Sequence, residues 1–433
     1  MATQPYTRMI NGAFIKLCVI ELCLQMGMQT ATPVVSNAAI ALGATVALAG
    51  ILAGLSSAVS VSLRIVSGRI VSMIPPKTAL VASAAALMAP TLLFGLFSSV
   101  PMLALTRVVY GVGVVVKTVI VVTVCVRVVP KGSIGQATAW LGMASVLAVA
   151  IGPNLTQFVG LNMGFSASFL LSGLLFAIGT ILCATFPNVP HGDEEDGEVP
   201  AEDPAPDRPA EGPAPDKRAA SAGKAGPAQP QPPAKGAARI WGFIYKNALP
   251  LSLLGFLEGI IFGIVNTLTL AVGLMRGLPE TSLFFVVYGV VSFGARSVVG
   301  KLYDRYGFAR ICPAMCLLMG VSMVSFAFTD SLAMVVLDGV LFALGQGCLW
   351  PCLTAESVRD VPLEKGSLST NTLLFGFDLG VMAGPMVGGV ILDAAGPLWM
   401  YLFAAGVGAL LTLWSLGYIR IMKRRSSASD TGR

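Results

Sequence analysis

Ionisable and amide side chains stand inside stretches otherwise built of Leu, Val, Ile, Ala and Gly, and their spacing follows the turn of a helix. Glu21, Gln25, Gln29 and Thr32 recur at i, i+4, i+8 and i+11, which aligns them on one face of an apolar cylinder. Glu258, Asn266, Thr267 and Thr269 repeat Glu21, Gln29, Thr30 and Thr32 at an offset of 237. Arg107 and Lys117 lie ten residues apart in another such stretch, about 80° apart round a helix. Asp338 opens a further one, and Asn371 and Asp378 share a face at i, i+7. An ionised group at the centre of a bilayer costs roughly 2.5 to 3.5 kcal/mol, so such groups serve a pathway or a pair. Glu21 and Lys117 fall at about the same depth, which predicts that they pair or compete for a shared anionic ligand. A contact between Arg107 and Asp338 across a cavity is a further expectation, with snorkelling of Arg107 towards the surface as its plain alternative. Glu21, Glu258 and Asp378 are the groups placed to exchange protons. A structural anchor between helices is the plain reading of Glu21, but its recurrence as Glu258 favours function.

Other chemistry is poorly provided for. The single histidine, His191, lies outside the apolar stretches, and the eight cysteines form no C-x-x-C, so neither a zinc site nor a disulfide framework is expected. Cys312/Cys316 and Cys348/Cys352 share helix faces at i, i+4; they are expected as free, packed thiols and not as ligands of a soft metal. No phosphate-cradling loop is present, the acids are not clustered, and no Ser or Cys has a visible base partner. The reading is therefore of a protein that is not an enzyme, with no catalytic residues, no cofactor and no metal.

The elements that must hold these residues are membrane spans. Of 433 residues, 55% are hydrophobic and 12% charged, with a mean hydropathy of +0.79, too apolar for a soluble core. About twenty apolar residues cross a bilayer, and twelve candidates are present. They run over 13–35, 43–63, 78–98, 101–126, 137–160, 165–186, 247–273, 280–300, 310–329, 331–355, 367–392 and 396–419. The basic residues between them set the orientation. Arg64, Arg69, Lys77, Arg127, Lys131, Lys301, Arg305, Arg310, Arg359 and Lys365 fall on the side of the N-terminus and of the Lys423–Arg425 tail, whereas the opposite loops hold only Arg276. Both termini are thus expected in the cytoplasm of a cell whose plasma or inner membrane the chain crosses, with the first span retained instead of cleaved as a signal. The net charge of +6 reads as topology, with no nucleic-acid partner.

The chain is also a duplicated object. Arg64, Gly68, Arg127, Pro130, Gly152 and Pro153 recur as Arg296, Gly300, Arg359, Pro362, Gly384 and Pro385, all at an offset of 232. This predicts an all-α membrane protein of two six-helix, pseudo-symmetric bundles, residues 1–187 and 241–433. Residues 188–240 separate them and read as a disordered cytoplasmic linker, for the stretch 188–238 holds ten of the 22 acids, many Pro and Ala, and no aromatic residue.

Three motifs carry a family resemblance. GKLYDRYGFAR at 300–310 resembles the loop signature G-x-L-x-D-R-x-G-R-R/K of the major facilitator superfamily. Arg107 with Gly111 and Gly113 is similar to its fourth-span R-x-x-x-G-x-G pattern, and Gly380, Gly384, Pro385, Gly388 and Gly389 resemble G-x-x-x-G-P-x-x-G, carried by many of its antiporters in the fifth span. Here the better copy is in the eleventh span; the fifth has Ala148 and Thr156 where Gly is expected. The first-half loop, GRIVSMIPPK, has Ser72 and Pro75 where the signature has Asp and Gly. The resemblance implies a cytoplasmic gate built from Arg64, Gly68, Arg296, Gly300, Asp304, Arg305 and Arg359, with Asp304 latching to Arg359 or to the start of the fifth span. It also implies a cavity lined by spans one, four, seven and ten.

Parallel repeats place a binding site at their interface near the midplane, and rocking of the halves exposes it alternately. The expected function is a monomeric, proton-coupled secondary transporter. It would export small amphipathic or anionic molecules, with Glu21, Gln25, Gln29, Arg107, Lys117, Glu258, Asn266, Asp338, Asn371 and Asp378 as the substrate and proton site. Proton-coupled uptake of an organic anion, with Lys117 and Arg107 meeting its carboxylate, is the first alternative. A membrane sensor that signals through the linker without transporting is the second.

Overall fold

The structure is a computed structural model in which residues 9–130, 133–188, 244–359, 361–362 and 365–430 are described. No strand occurs among them. The helices, in chain order, are α1 Gly12–Ala41, α2 Val46–Ser72, α3 Pro76–Leu96, α4 Val100–Val128, α5 Ile134–Met163, α6 Phe165–Ala184, α7 Leu249–Met275, α8 Leu283–Tyr306, α9 Phe308–Ala327, α10 Leu332–Arg359, α11 Gly366–Ala395 and α12 Pro397–Asp430. Among the described residues eleven helices are long and apolar enough to cross a membrane. The eighth expected span is the 24-residue helix α8, which ends in the charged RSVVGKLYDRY stretch. The linker expected at 188–240 falls outside the described residues from 189 onward.

Local chemistry sets the helix ends. The Asn11 side chain caps α1 by accepting from the Phe14 amide at 2.8 Å, Ser99 caps α4 in the same way, and Pro stands in the first turn of α3, α4 and α7, where its missing N–H costs nothing. Gly164 and Gly396 both adopt φ of 86° in the tight turns before α6 and α12, a conformation that favours glycine. They too are 232 residues apart, so the duplication shows in backbone conformation as well as in side chains. Gly307, φ 73°, turns α8 into α9. At the corresponding place in the first half the chain uses Pro75, extended at φ −52°, ψ 136°, ahead of α3.

Polarity is inverted relative to a soluble protein. Phe158, Leu174, Ile181, Val290 and Leu413 point outward and are largely exposed, while Glu21, Arg107, Lys117, Glu258 and Asp338 are buried. Glycines let backbones meet where the elements must pack most closely. In the second half a Cβ on Gly380 or Gly384 would overlap the α7 backbone at Phe256 and Ile260. In the first half Gly152 of α5 lies against Gln29 of α1, and Thr156, where the antiporter pattern has Gly, donates to the Thr30 carbonyl at 2.7 Å. Between the halves α2 meets α11: a Cβ on Gly50 would overlap the Pro385 carbonyl and the Gly389 backbone, and one on Gly54 would overlap Met382. The second seam joins α5 to α8, where Gly289 lies against Ala150. The glycines of the eleventh span therefore serve two contacts, to α7 within the half and to α2 across it.

Candidate functional site

The buried charges resolve into separate groups. In the first half the Lys117 ammonium donates to Glu21 Oε1 at 2.6 Å, with both side chains at most 7% exposed, as their common depth predicted. The second Glu21 oxygen is buried without a partner. One turn along α1, the Gln25 amide donates to Ser145 Oγ of α5 at 2.7 Å. Gln29 is half-buried against Gly152.

Arg107 is neither at the surface nor near Asp338. It is 2% exposed, so it does not snorkel. Its Nη2 donates to Ser56 Oγ at 2.5 Å and to the Ala53 carbonyl at 3.3 Å, both on α2, and its guanidinium lies over the Tyr110 ring at 4.7 Å. Asp338 is fully buried within the second half, where it accepts from Thr329 Oγ1 at 2.5 Å. The expected Arg107–Asp338 contact is thus not made. Each residue bonds within its own half, Arg107 to a hydroxyl of the neighbouring helix α2 and Asp338 to one in the turn that leads into its own helix, and each keeps one buried polar atom without a partner.

The second-half carboxylate Glu258 has no exposed surface. Its Oε1 accepts from Gln346 Nε2 at 3.4 Å, and its Oε2 has no partner. Gln346 in turn accepts from the Tyr288 hydroxyl of α8 at 2.5 Å. Ser292, one turn from Tyr288, is buried with an unbonded hydroxyl and touches the place a Cβ of Gly347 would occupy. Gln346 and Gly347 belong to a π-helical turn, Ala343–Gly347, that interrupts α10. Such turns reset the facing of the residues in them. Neither Gln346 nor Tyr288 is singled out by the sequence: for Gln346 a wide π turn leaves no period to read, although the ALGQG composition breaks the apolar run, and Tyr288 is one aromatic residue on the apolar helix α8.

Asp378 sits at neither group. It accepts from Arg64 Nε at 2.6 Å, with a second bond from Nη2, so a residue expected at the substrate site is joined to one expected at the gate. Asn371 is exposed near the start of α11, and Asn266 is half-buried on α7. Of the other gate residues, Arg296, Gly300 and Arg305 are exposed, with Arg305 over the Tyr306 ring at 5.3 Å. Arg359 lies 3.6 Å from Glu356, which also accepts from Tyr303 at 2.8 Å. The surroundings of Gly68 and the Asp304 side chain lie outside the described residues, and with them the expected latch.

A two-half helical fold with carboxylates and cations sunk between helices defines a solute carrier of the bilayer. The chain belongs to the Major Facilitator Superfamily, whose sequence profile matches residues 17–370. Among curated relatives it is similar to the uncharacterized MFS-type transporter YuxJ of Bacillus subtilis (strain 168), 29% identical over 170 residues that make up 37% of this chain and 42% of that protein. It is also similar to the uncharacterized MFS-type transporter STM4428 of Salmonella typhimurium, 24% identical over 64% of this chain and 60% of that protein. The match thus spans from about two fifths to three fifths of these relatives. Among solved structures the fold is shared with a variant of the nucleoside transporter NupG, TM-score 0.73 at 10% identity over 94% of this chain and 99% of that one. It is shared equally with a POT family transporter in complex with 5-aminolevulinic acid, TM-score 0.72 at 14% identity over 94% and 96%.

Proposed function

We propose that the protein is a proton-coupled secondary transporter that moves small amphipathic or anionic molecules, most simply outward, by rocking its two halves about α2–α11 and α5–α8. The observation that carries the coupling is the unequal treatment of two repeat-related carboxylates. Glu21 is matched by the Lys117 ammonium at 2.6 Å, whereas Glu258, equally sunk, has one long bond from a neutral amide and appears in none of the ion pairs among the described residues. A buried carboxylate must be neutralised by a cation or by a proton. Glu21 has the first solution; Glu258 is the group left to the second. With both termini in the cytoplasm, as the basic loops favour, Glu258 would exchange its proton with whichever side the cavity faces.

Right-side-out vesicles given an inward proton gradient and a panel of labelled amphipathic and anionic solutes test this reading. Extrusion driven by the gradient, lost in Glu258→Gln and kept in pH dependence by Glu21→Gln, is the expected result. Net accumulation would reverse the direction, and gradient-independent movement in the wild type would remove the coupling.

A further inference from the structure

Among the described residues two buried cations, Arg107 and Lys117, stand in the first half, and only Lys117 is paired with a carboxylate. We infer that Arg107 is the binding group for a monoanionic carboxylate on the transported molecule, and that Lys117 is not. The inference rests on the reading of the chain's interior as a transport pathway, and it names the substrate class.

Three ion pairs occur among the described residues, and Arg107 is in none of them. Lys117 has Glu21, and Arg64 has Asp378. Arg107 Nη2 donates to the Ser56 hydroxyl and the Ala53 carbonyl, the Tyr110 hydroxyl is a further hydrogen-bond partner, all of them neutral, and the buried Nε–H has no acceptor. A guanidinium offers five donors in a planar fork matched to a carboxylate, and an unmatched buried charge is costly. One cation in surplus calls for one negative charge, hence a monoanion. Beside the guanidinium stands Tyr110, whose hydroxyl lies 3.4 Å from Thr32 Oγ1 of α1, with its ring supplying an apolar wall for the body of the ligand. Ser56 is two residues from Gly54, where α2 lies against α11 of the other half, so Arg107 stands one helix behind the seam that must open.

The test is binding to the purified full-length protein, read by thermal shift and isothermal titration with no proton gradient. Benzoate, benzamide and benzylamine serve as probes of one shape and three charges. Benzoate alone is expected to stabilise the wild type. Arg107→Gln is expected to lose that response by at least tenfold in affinity, and the double variant Glu21→Leu/Lys117→Met to keep it. Should Arg107→Gln not fold, Arg107→Lys retains the charge without the fork and is expected to bind benzoate at least tenfold more weakly. A wild type indifferent to benzoate, or a folded Arg107 variant that binds it as tightly as the wild type, overturns the inference. Because no gradient enters the measurement, failure of the proton-coupling reading would leave this result standing, and the reverse.

Discussion

The Arg64 guanidinium grips the Asp378 carboxylate through both Nε and Nη2, and the two residues belong to opposite halves of the molecule. The pair is 12% and 17% exposed, at the seam where α2 lies on α11. Breaking a pair this deep leaves an uncompensated charge, which costs on the order of 3 kcal/mol. Arg64→Gln and Asp378→Asn are each expected to lower the melting temperature of the purified protein, and the double variant to lose clearly less than the sum of the two. Strictly additive losses in that cycle would mean that the pair does not form in the dominant state.

The same seam is held by backbone contact. A Cβ on Gly50 would run into the Pro385 carbonyl and Gly389, so Gly50→Ala should force α2 and α11 apart at a cost of about 1 to 3 kcal/mol. Gly417→Ala is the control, because nothing lies within 4 Å of its new methyl group. There, the gain in helix propensity should make the change neutral or stabilising by up to about 1 kcal/mol. Thermal unfolding of the two variants checks both statements, and equal effects would discount the seam.

These relationships were unequally legible in the sequence. Hydropathy and the 232-residue echo were enough for the helical duplication, since a span must be long and apolar and a repeat must repeat. The common depth of Glu21 and Lys117 was legible, because one coordinate along the membrane normal can be counted in residues, and it left pairing and competition for an anionic ligand open; the structure has the pair. The Arg64–Asp378 pair was not legible for the complementary reason: depth does not say round which side of a helix a group points, and the two residues meet across a seam between halves. Gln346 is displaced from the helical period by the π turn Ala343–Gly347, and Tyr288, on the regular helix α8, gains its meaning only from bonding to Gln346.

Glu21 and Lys117 make a sharper case for the cost of burial. Glu21→Gln leaves an ammonium at 4% exposure without its counter-charge, for an expected loss of about 3 to 5 kcal/mol. Glu21→Leu/Lys117→Met removes both charges and is expected to recover most of that loss, since apolar replacements of a buried pair are often neutral or better. Chemical unfolding in detergent would show it. A double variant no more stable than the single would mean that the pair is held by contacts beyond its own charges.

The π-helical turn gives the last prediction. Ala343–Gly347 carries one residue more than a regular turn, and it is this excess that brings Gln346 to both Glu258 and Tyr288. Deleting Leu344 would restore an α-helical turn and rotate the preceding part of α10 by about 100° relative to the rest. Tyr288→Phe is the milder counterpart, removing one donor for about 1 kcal/mol of stability. If Glu258 is the coupling acid, both changes should displace the pH dependence of transport, the deletion more than Tyr288→Phe, while Ser62→Ala, an exposed hydroxyl bonded only to its own helix, leaves it in place. A pH profile unmoved by the deletion, in protein that still folds and transports, would separate this turn from coupling.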